Sequence, residues 1–180
     1  VNVCPEERPN DFNLGFNKTK AIYLPHEMAF PWKYSIDDNY CKKTSCNKCV
    51  EVCKYDAINL NAGESTIELN VHSIVYATGW DSYEPMKLKT YGYNEFKNVI
   101  TNTEFERLAA LNGPFNGEFK RLSDEQIPKS IAFFQCAGSR DENHLPYCSG
   151  VCCSASLKQA LYMNDHYPET KVKIFYIDMR

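Results

Sequence analysis

Lys129-Ser130-Ile131-Ala132-Phe133-Phe134-Gln135-Cys136 is a short apolar run weighted toward aromatics, and a second such run stands at Lys171-Val172-Lys173-Ile174-Phe175-Tyr176-Ile177. Each has the length and composition of a buried strand. Between them, Val151 to Asn164 carries Cys153, Leu157, Ala160 and Leu161 at i, i+4, i+7 and i+8, which predicts a helix with that face against a sheet. Strand, helix and strand in this order make a βαβ unit of the dinucleotide-binding type, and the fold class expected is α/β. A working dinucleotide turn carries G-x-G-x-x-G so that the backbone can approach a pyrophosphate. Here it reads Gln135-Cys136-Ala137-Gly138-Ser139-Arg140, so no nicotinamide is expected at it.

Upstream of this unit, Asn102 to Leu111 predicts a helix, with Thr101 and Glu104 spaced as a capping box and Gly113-Pro114 as its stop. Thr66 to Val71 alternates in strand fashion behind a turn at Asn61 to Ser65. Ser73-Ile74-Val75-Tyr76-Ala77-Thr78-Gly79 reads as a buried strand running into a binding crevice. Residues 1 to 40 are broken by Pro5, Pro9, Pro25 and Pro31 and predict little regular structure.

Composition narrows the function. The chain has 180 residues, 43% of them hydrophobic, enough for a core. With 23 acids against 20 bases the net charge is -3, so no basic field exists to draw it onto nucleic acid. Apolar runs such as Ile131 to Phe134 fall far short of the roughly 20 residues a spanning helix needs. No secretory signal stands at the N-terminus. The expected compartment is the cytoplasm, with any membrane association made through partners. The chain starts at Val1 without Met and stops just after a strand, so a piece of a longer polypeptide is expected.

Nine cysteines in two clusters, with Cys4 apart, point to metal or redox chemistry before disulfides. Cys41, Cys46, Cys49 and Cys53 are spaced C-x4-C-x2-C-x3-C. The last three match the end of the bacterial ferredoxin run C-x2-C-x2-C-x3-C-P, in which short loops wrap an iron-sulfur cubane. The first gap is longer, and Lys54 replaces the proline. A structural zinc site would instead favour two C-x2-C knuckles across a longer loop. Cys4-Pro5 has the form in which a ferredoxin run ends, and in two-cluster ferredoxins the fourth cysteine of each run ligates the other run's cluster. Two arrangements follow. In the crossed one Cys4 completes the cluster of Cys41, Cys46 and Cys49, and Cys53 serves another; in the uncrossed one Cys53 closes its own.

Cys136, Cys148, Cys152 and Cys153 stand as C-x11-C-x3-C-C at the strand end and helix start of the βαβ unit. The helix N-terminus suits an anionic cluster as it suits phosphate. A vicinal Cys152-Cys153 disulfide or a C-x3-C redox pair are the rival readings. His26, His72, His144 and His166 share no ligand spacing, although His144 lies four residues from Cys148. Arg140 and Lys158 are cations near the second set that either tune a cluster or form ordinary ion pairs.

Cys136-Ala137-Gly138-Ser139-Arg140-Asp141, Tyr147-Cys148-Ser149-Gly150-Val151-Cys152-Cys153 and Ala77-Thr78-Gly79-Trp80 resemble the heterodisulfide reductase A-subunit family of flavin and iron-sulfur proteins. Leu24 to Pro31 and Asp141 to Tyr147 resemble the branch formed by the A subunit of the quinone-interacting membrane-bound oxidoreductase of sulfate reducers and sulfur oxidisers. The resemblance implies a thioredoxin-reductase-like FAD/NAD(P)-type Rossmann fold with an inserted ferredoxin-like segment. It further implies 1–65 as the ferredoxin-like insert, 66–125 as the end of the flavin lobe and a linker, and 126–180 as a degenerate dinucleotide-binding βαβ unit. Two 4Fe-4S clusters are implied on the cysteines, and FAD beside Ala77, Thr78 and Gly79, bound largely by residues outside this piece. The function implied is an oxidoreductase subunit that relays electrons in a quinone-linked complex of dissimilatory sulfur metabolism. Its partners would be other flavin/iron-sulfur subunits, adenylylsulfate reductase and a membrane quinone-interacting subunit. Two alternatives stand beside it: the A subunit of a flavin-bifurcating heterodisulfide reductase, and a zinc-binding interaction module.

Overall fold

Alternating burial along Ser130–Phe134 and Lys171–Phe175 sets Ile131, Phe133, Val172 and Ile174 on one face of a sheet and the flanking residues on the other. In a computed structural model, which describes residues 1–180, these two strands pair in parallel with Ser130 opposite Lys171 and Phe134 opposite Phe175. The Gln135 N–H donates to the Phe175 carbonyl at 2.9 Å and carries the ladder to the residue before Cys136. A 15-residue helix, Cys152–His166, connects them. The βαβ unit is therefore formed as the periodicity predicts.

In chain order the elements are β1 (Glu7–Pro9), β2 (Lys18–Lys20), β3 (Ile22–Tyr23), β4 (Ser35–Ile36), α1 (Lys48–Glu51), α2 (Asn102–Ala109), β5 (Ser130–Phe134), α3 (Cys152–His166) and β6 (Lys171–Phe175). The chain divides into two compact units, Val1–Gly79 and Trp80–Arg180. The division falls at one place, Gly79/Trp80, whereas the resemblance implies breaks after residues 65 and 125.

In the first unit, β1 and β2 are antiparallel, as are β3 and β4. Residues 1 to 40 thus hold four short strands where the prolines predict almost none. The reason is long-range. Arg8 is only 7% exposed, its Nε lies 2.7 Å from Asp37 Oδ2, and its guanidinium sits 4.6 Å over the Tyr23 ring and also pairs with Asp11. A desolvated cation with two carboxylate partners pins strands that local propensity leaves open. The apolar core of this unit is small: Ala21, Ile22 and Ala29.

Residues 66–71 and 73–79 form no strand, and Val75 and Tyr76 are 86% and 84% exposed. Their alternation reports a preference for burial. A strand also requires a neighbour to take its backbone N–H and C=O groups, and no segment of this chain pairs with them.

The second unit packs around Phe105, Leu108, Phe119, Phe133, Ala160 and Met163. Phe105 is the hub, with ring centroids 4.4 Å from Phe119 and 5.8 Å from Phe133. Its helix α2 begins with the predicted capping box: Thr101 Oγ1 accepts the Glu104 N–H at 3.2 Å, and Glu104 Oε2 accepts the Thr101 N–H at 2.6 Å. It ends at Ala109, ahead of Gly113, where a Cβ would collide with the Arg107 carbonyl oxygen. On α3 the buried face is Cys153, Ser156, Gln159, Ala160 and Met163, while Leu157 and Leu161 are 49% and 60% exposed. The predicted face is rotated because α2 meets α3 through amides. Asn102 Nδ2 donates to Gln159 Oε1 at 2.9 Å and to Ser156 Oγ at 3.3 Å, and Gln159 Nε2 donates to Glu106 Oε1 at 2.9 Å. The buried Gln159 amide, satisfied by Asn102 and Glu106, occupies the slot that the leucines would otherwise take. No helix is long and apolar enough to cross a membrane.

Candidate iron-sulfur sites

The first cysteine set is assembled by charge. Cys4 leads through Pro5 and Glu6 into β1, and Glu6 Oε1 takes the Lys42 ammonium at 2.7 Å, joining the residue two after Cys4 to the residue after Cys41. The Arg8–Asp37 pair makes a second tie, because the Asp37 carbonyl accepts the Cys41 N–H at 2.9 Å. A one-turn 3-10 helix at Lys43–Ser45 leads to Cys46, and Cys49 lies within α1.

The outcome is that Cys4, Cys41, Cys46 and Cys49 line one solvent-open cavity, together with Ile22, Ile36 and Leu60. Burial pushes the Cys49 thiol up, and the neighbouring Cys41 and Cys4 thiols push it further, against backbone N–H groups that lower it. Cys53 is not part of that lining. Its Sγ accepts the Ala57 N–H at 3.4 Å, and this amide with that of Tyr55 holds the thiol below the usual range.

The second set stands where β5 ends and α3 begins. Cys136 is in the left-handed region, φ 57°, immediately beyond the sheet ladder. Its backbone N–H reaches the Cys152 sulfur, which also meets the Cys153 thiol and the Ser149 side chain. Burial pushes Cys152 up, and these hydrogen bonds outweigh it and leave the thiol lowered. Cys153 is 7% exposed. The Cys136 backbone and Cys153 thus both neighbour Cys152. Cys148 lies in the loop before α3, where its Sγ accepts the Gly150 N–H at 3.4 Å.

The turn that carries Cys136 is wired to the one that carries Cys148. Leu145 N–H donates to the Gly138 carbonyl at 3.1 Å and Arg140 N–H to the Tyr147 carbonyl at 3.0 Å. Gly138 has φ 84° and a Cβ there would lie 2.5 Å from the Tyr83 ring, so no side chain fits. The Tyr83 hydroxyl is 2.5 Å from His144 Nδ1. Tyr83 was invisible in the sequence pattern: it lies far upstream and carries no spacing signal. Opposite charges within two residues of Cys4 and Cys41, Glu6 and Lys42, were a readable but weak signal.

Both donor sets suit sulfur-bound iron. All nine cysteines are free thiols, so the vicinal disulfide is not formed. No group of three or more His, Cys, Asp or Glu side chains is arranged to hold a single metal ion; at the first site the four thiols border a cavity instead. At the second, Gln135 is 7% exposed and its Nε2 has no hydrogen-bond partner. By strand alternation it shares the inner face of β5 with Phe133, and it is an unpartnered buried N–H donor one residue before Cys136 in the chain. Ala77, Thr78 and Gly79 lie in an exposed segment with open space around Gly79.

No family model matches the chain. Among curated proteins it is 42% identical, over its whole length, to the A subunit of the H(2):CoB-CoM heterodisulfide,ferredoxin reductase of Methanothermobacter marburgensis. It is 44% identical over 99% of its length to the second of the iron-sulfur A subunits of CoB--CoM heterodisulfide reductase in Methanopyrus kandleri, and 40% identical over 99% to the iron-sulfur A subunit of the same reductase in Methanocaldococcus jannaschii. The chain spans 27% of the length of each of these relatives. Its relatives are thus subunits of an oxidoreductase, the heterodisulfide reductase A subunits. The narrower expectations of a quinone-interacting complex, sulfate reduction and adenylylsulfate reductase as partner draw no support from them.

Proposed function

We propose that this chain is the iron-sulfur part of a heterodisulfide reductase A-type subunit, relaying single electrons through one 4Fe-4S cluster on Cys4, Cys41, Cys46 and Cys49 and a second on Cys136, Cys148, Cys152 and Cys153. The observation that carries the reading is the cavity: Cys4 lines it with the first three cysteines of the run, and Cys53 does not. This favours the crossed arrangement and leaves Cys53 for a neighbouring cluster, as in two-cluster ferredoxins. A bound cluster supplies one-electron chemistry at a potential set by charge, hydrogen bonds and exposure. The chain's own part is to hold thiolates, point backbone amides at sulfur and exclude water. The heterodisulfide reductase setting displaces the quinone-linked one because the relatives carry that name; further flavin and iron-sulfur subunits are the partners it implies. FAD would be held largely by residues outside this piece, beside Ala77, Thr78 and Gly79. A zinc module is the weaker reading, because zinc draws four thiolates onto one point whereas these surround a space.

Iron and acid-labile sulfide on anaerobically prepared protein of these 180 residues test it. About eight of each are expected, falling to about four in Cys4→Ser and staying near eight in Cys53→Ser. Zinc without sulfide would sink the reading, and loss of iron in Cys53→Ser rather than Cys4→Ser would replace the crossed arrangement with the uncrossed one.

A further inference from the structure

Arg140 lies four residues beyond Cys136, in the left-handed region at φ 57°. Its backbone is fixed twice over: its N–H donates to the Tyr147 carbonyl, and the Asp141 N–H to the Leu145 carbonyl at 3.1 Å. Those bonds return the side chain toward the strand end. Arg140 Nη1 lies 4.0 Å from Cys136 Sγ and pairs with Asp178. The guanidinium is only 21% exposed, against 47% for Asp178. Asp178 lies just past β6, as Cys136 lies just past β5, so the parallel pairing of the two strands brings the carboxylate to the same sheet edge. Arg180 Nε holds the other Asp178 oxygen at 3.2 Å. The order outward from the sulfur is therefore cation, anion, cation, with the least exposed charge closest to the ligand. Ordinary surface ion pairs have no reason to align on a cysteine sulfur.

We infer that Arg140 is a positioning residue that raises the reduction potential of the second cluster, and that Asp178, on the far side of the guanidinium, tempers its charge. This rests on the reading of Cys136 as a cluster ligand. The physics is one of sign. Reduction adds one negative charge, a fixed cation close to a ligand sulfur stabilises that state, and an anion on the far side of the cation opposes it. Arg140 keeps its proton throughout, so the event is the transfer of one electron with no accompanying bond change. Removing the cation therefore lowers the potential and removing the anion raises it. A purely structural role of the ion pair would move both variants in one direction, because each breaks the same pair.

The test is made on the anaerobically purified, full-length holoprotein, titrated against mediator dyes at fixed potentials. The EPR signal lost in Cys152→Ala identifies the second cluster. At a potential where that cluster is half reduced in the parent protein, Arg140→Gln is expected to shift the oxidised-to-reduced ratio about tenfold toward oxidised, equal to about 59 mV for a one-electron couple. Asp178→Asn is expected to shift it toward reduced, by a smaller factor. Arg140→Lys, which keeps the charge, should stay within about threefold of the parent. The inference is overturned if Arg140→Gln and Asp178→Asn move the ratio the same way, or if neither moves it beyond twofold. Should Arg140→Gln lose the cluster, Asp178→Asn decides alone: a shift toward reduced upholds the inference, and no shift or the opposite one ends it. If the parent protein has no EPR signal that depends on Cys152, the reading of the second site has failed, and the inference with it; iron analysis of the parent separates that case from a failure of the charge argument.

Discussion

The two units hold their cysteines by different means. In Trp80–Arg180 the thiols sit at the end of β5 and the start of α3, positions set by a sheet ladder and by a core of Phe105, Leu108, Phe133 and Met163 that exists without any ligand. In Val1–Gly79 only Ala21, Ile22 and Ala29 form an apolar core, and the thiols sit on loops and the one-turn α1, tied by Arg8–Asp37 and Glu6–Lys42. Three small side chains bury too little apolar surface to order a segment of this length. A cluster bound to four of its loops would supply what the core lacks, so metal binding and folding should be coupled in the first unit and separable in the second.

The largest expected effect breaks that comparison most directly. After removal of iron by an anaerobic chelator, amide exchange in residues 1–79 should rise to the rate of an unfolded chain, while β5, the second half of α3 and β6 keep their protection. Equal loss in both units would show that the second also depends on its cluster. Equal retention would show that the ion pairs alone suffice in the first.

Core mutation sharpens the same contrast from the other side. Leu108 is 1% exposed in α2, and Leu108→Ala should destabilise the second unit by about 2–5 kcal/mol through lost burial and the cavity left behind. Iron at Cys4, Cys41, Cys46 and Cys49 should be unaffected. Denaturant unfolding followed by far-UV circular dichroism, with iron counted on the same sample, separates the two. If the first site lost iron in step with the helix signal, the units would not be independent.

What could be read in advance follows the range of the forces involved. The βαβ unit was legible because period-2 and helical runs of this length are local, and the capping box because Thr101 and Glu104 are one turn apart. Cysteine spacing is local too, and Cys-Pro singled out Cys4, which lines one cavity with Cys41, Cys46 and Cys49. Three things were not. The short strands of residues 1–40 depend on Arg8 reaching Asp37 across many intervening residues. The rotation of α3 depends on Asn102 finding Gln159 on another helix, which overrode the apolar stripe through Leu157 and Leu161. Residues 66–79 have a strand's alternation without a strand's partner, and periodicity carries no information about partners.

The smallest expected effects lie in the start of α2, which joins cap, core and titration in one place. Thr101→Ala removes the acceptor of the Glu104 N–H and should cost the second unit about 1 kcal/mol. Glu104 would then retain the Tyr93 hydroxyl, which donates to its Oε1 at 2.7 Å. Burial pushes the Tyr93 phenol up to about 12, and the Glu104 carboxylate adds to the rise by hydrogen bond and charge. A folded-state value raised above the ordinary 10 means that the stabilisation is complete below pH 10 and is lost as pH climbs from 10 through 12. Tyr93→Phe takes away the donor along with the titration. Its unfolding midpoint should therefore begin lower at neutral pH and fall less steeply between pH 10 and 12 than that of the parent chain. Parallel curves over that window would mean that Tyr162, also raised to about 12, dominates the alkaline transition and that the Tyr93–Glu104 bond contributes little to holding α2 against the core.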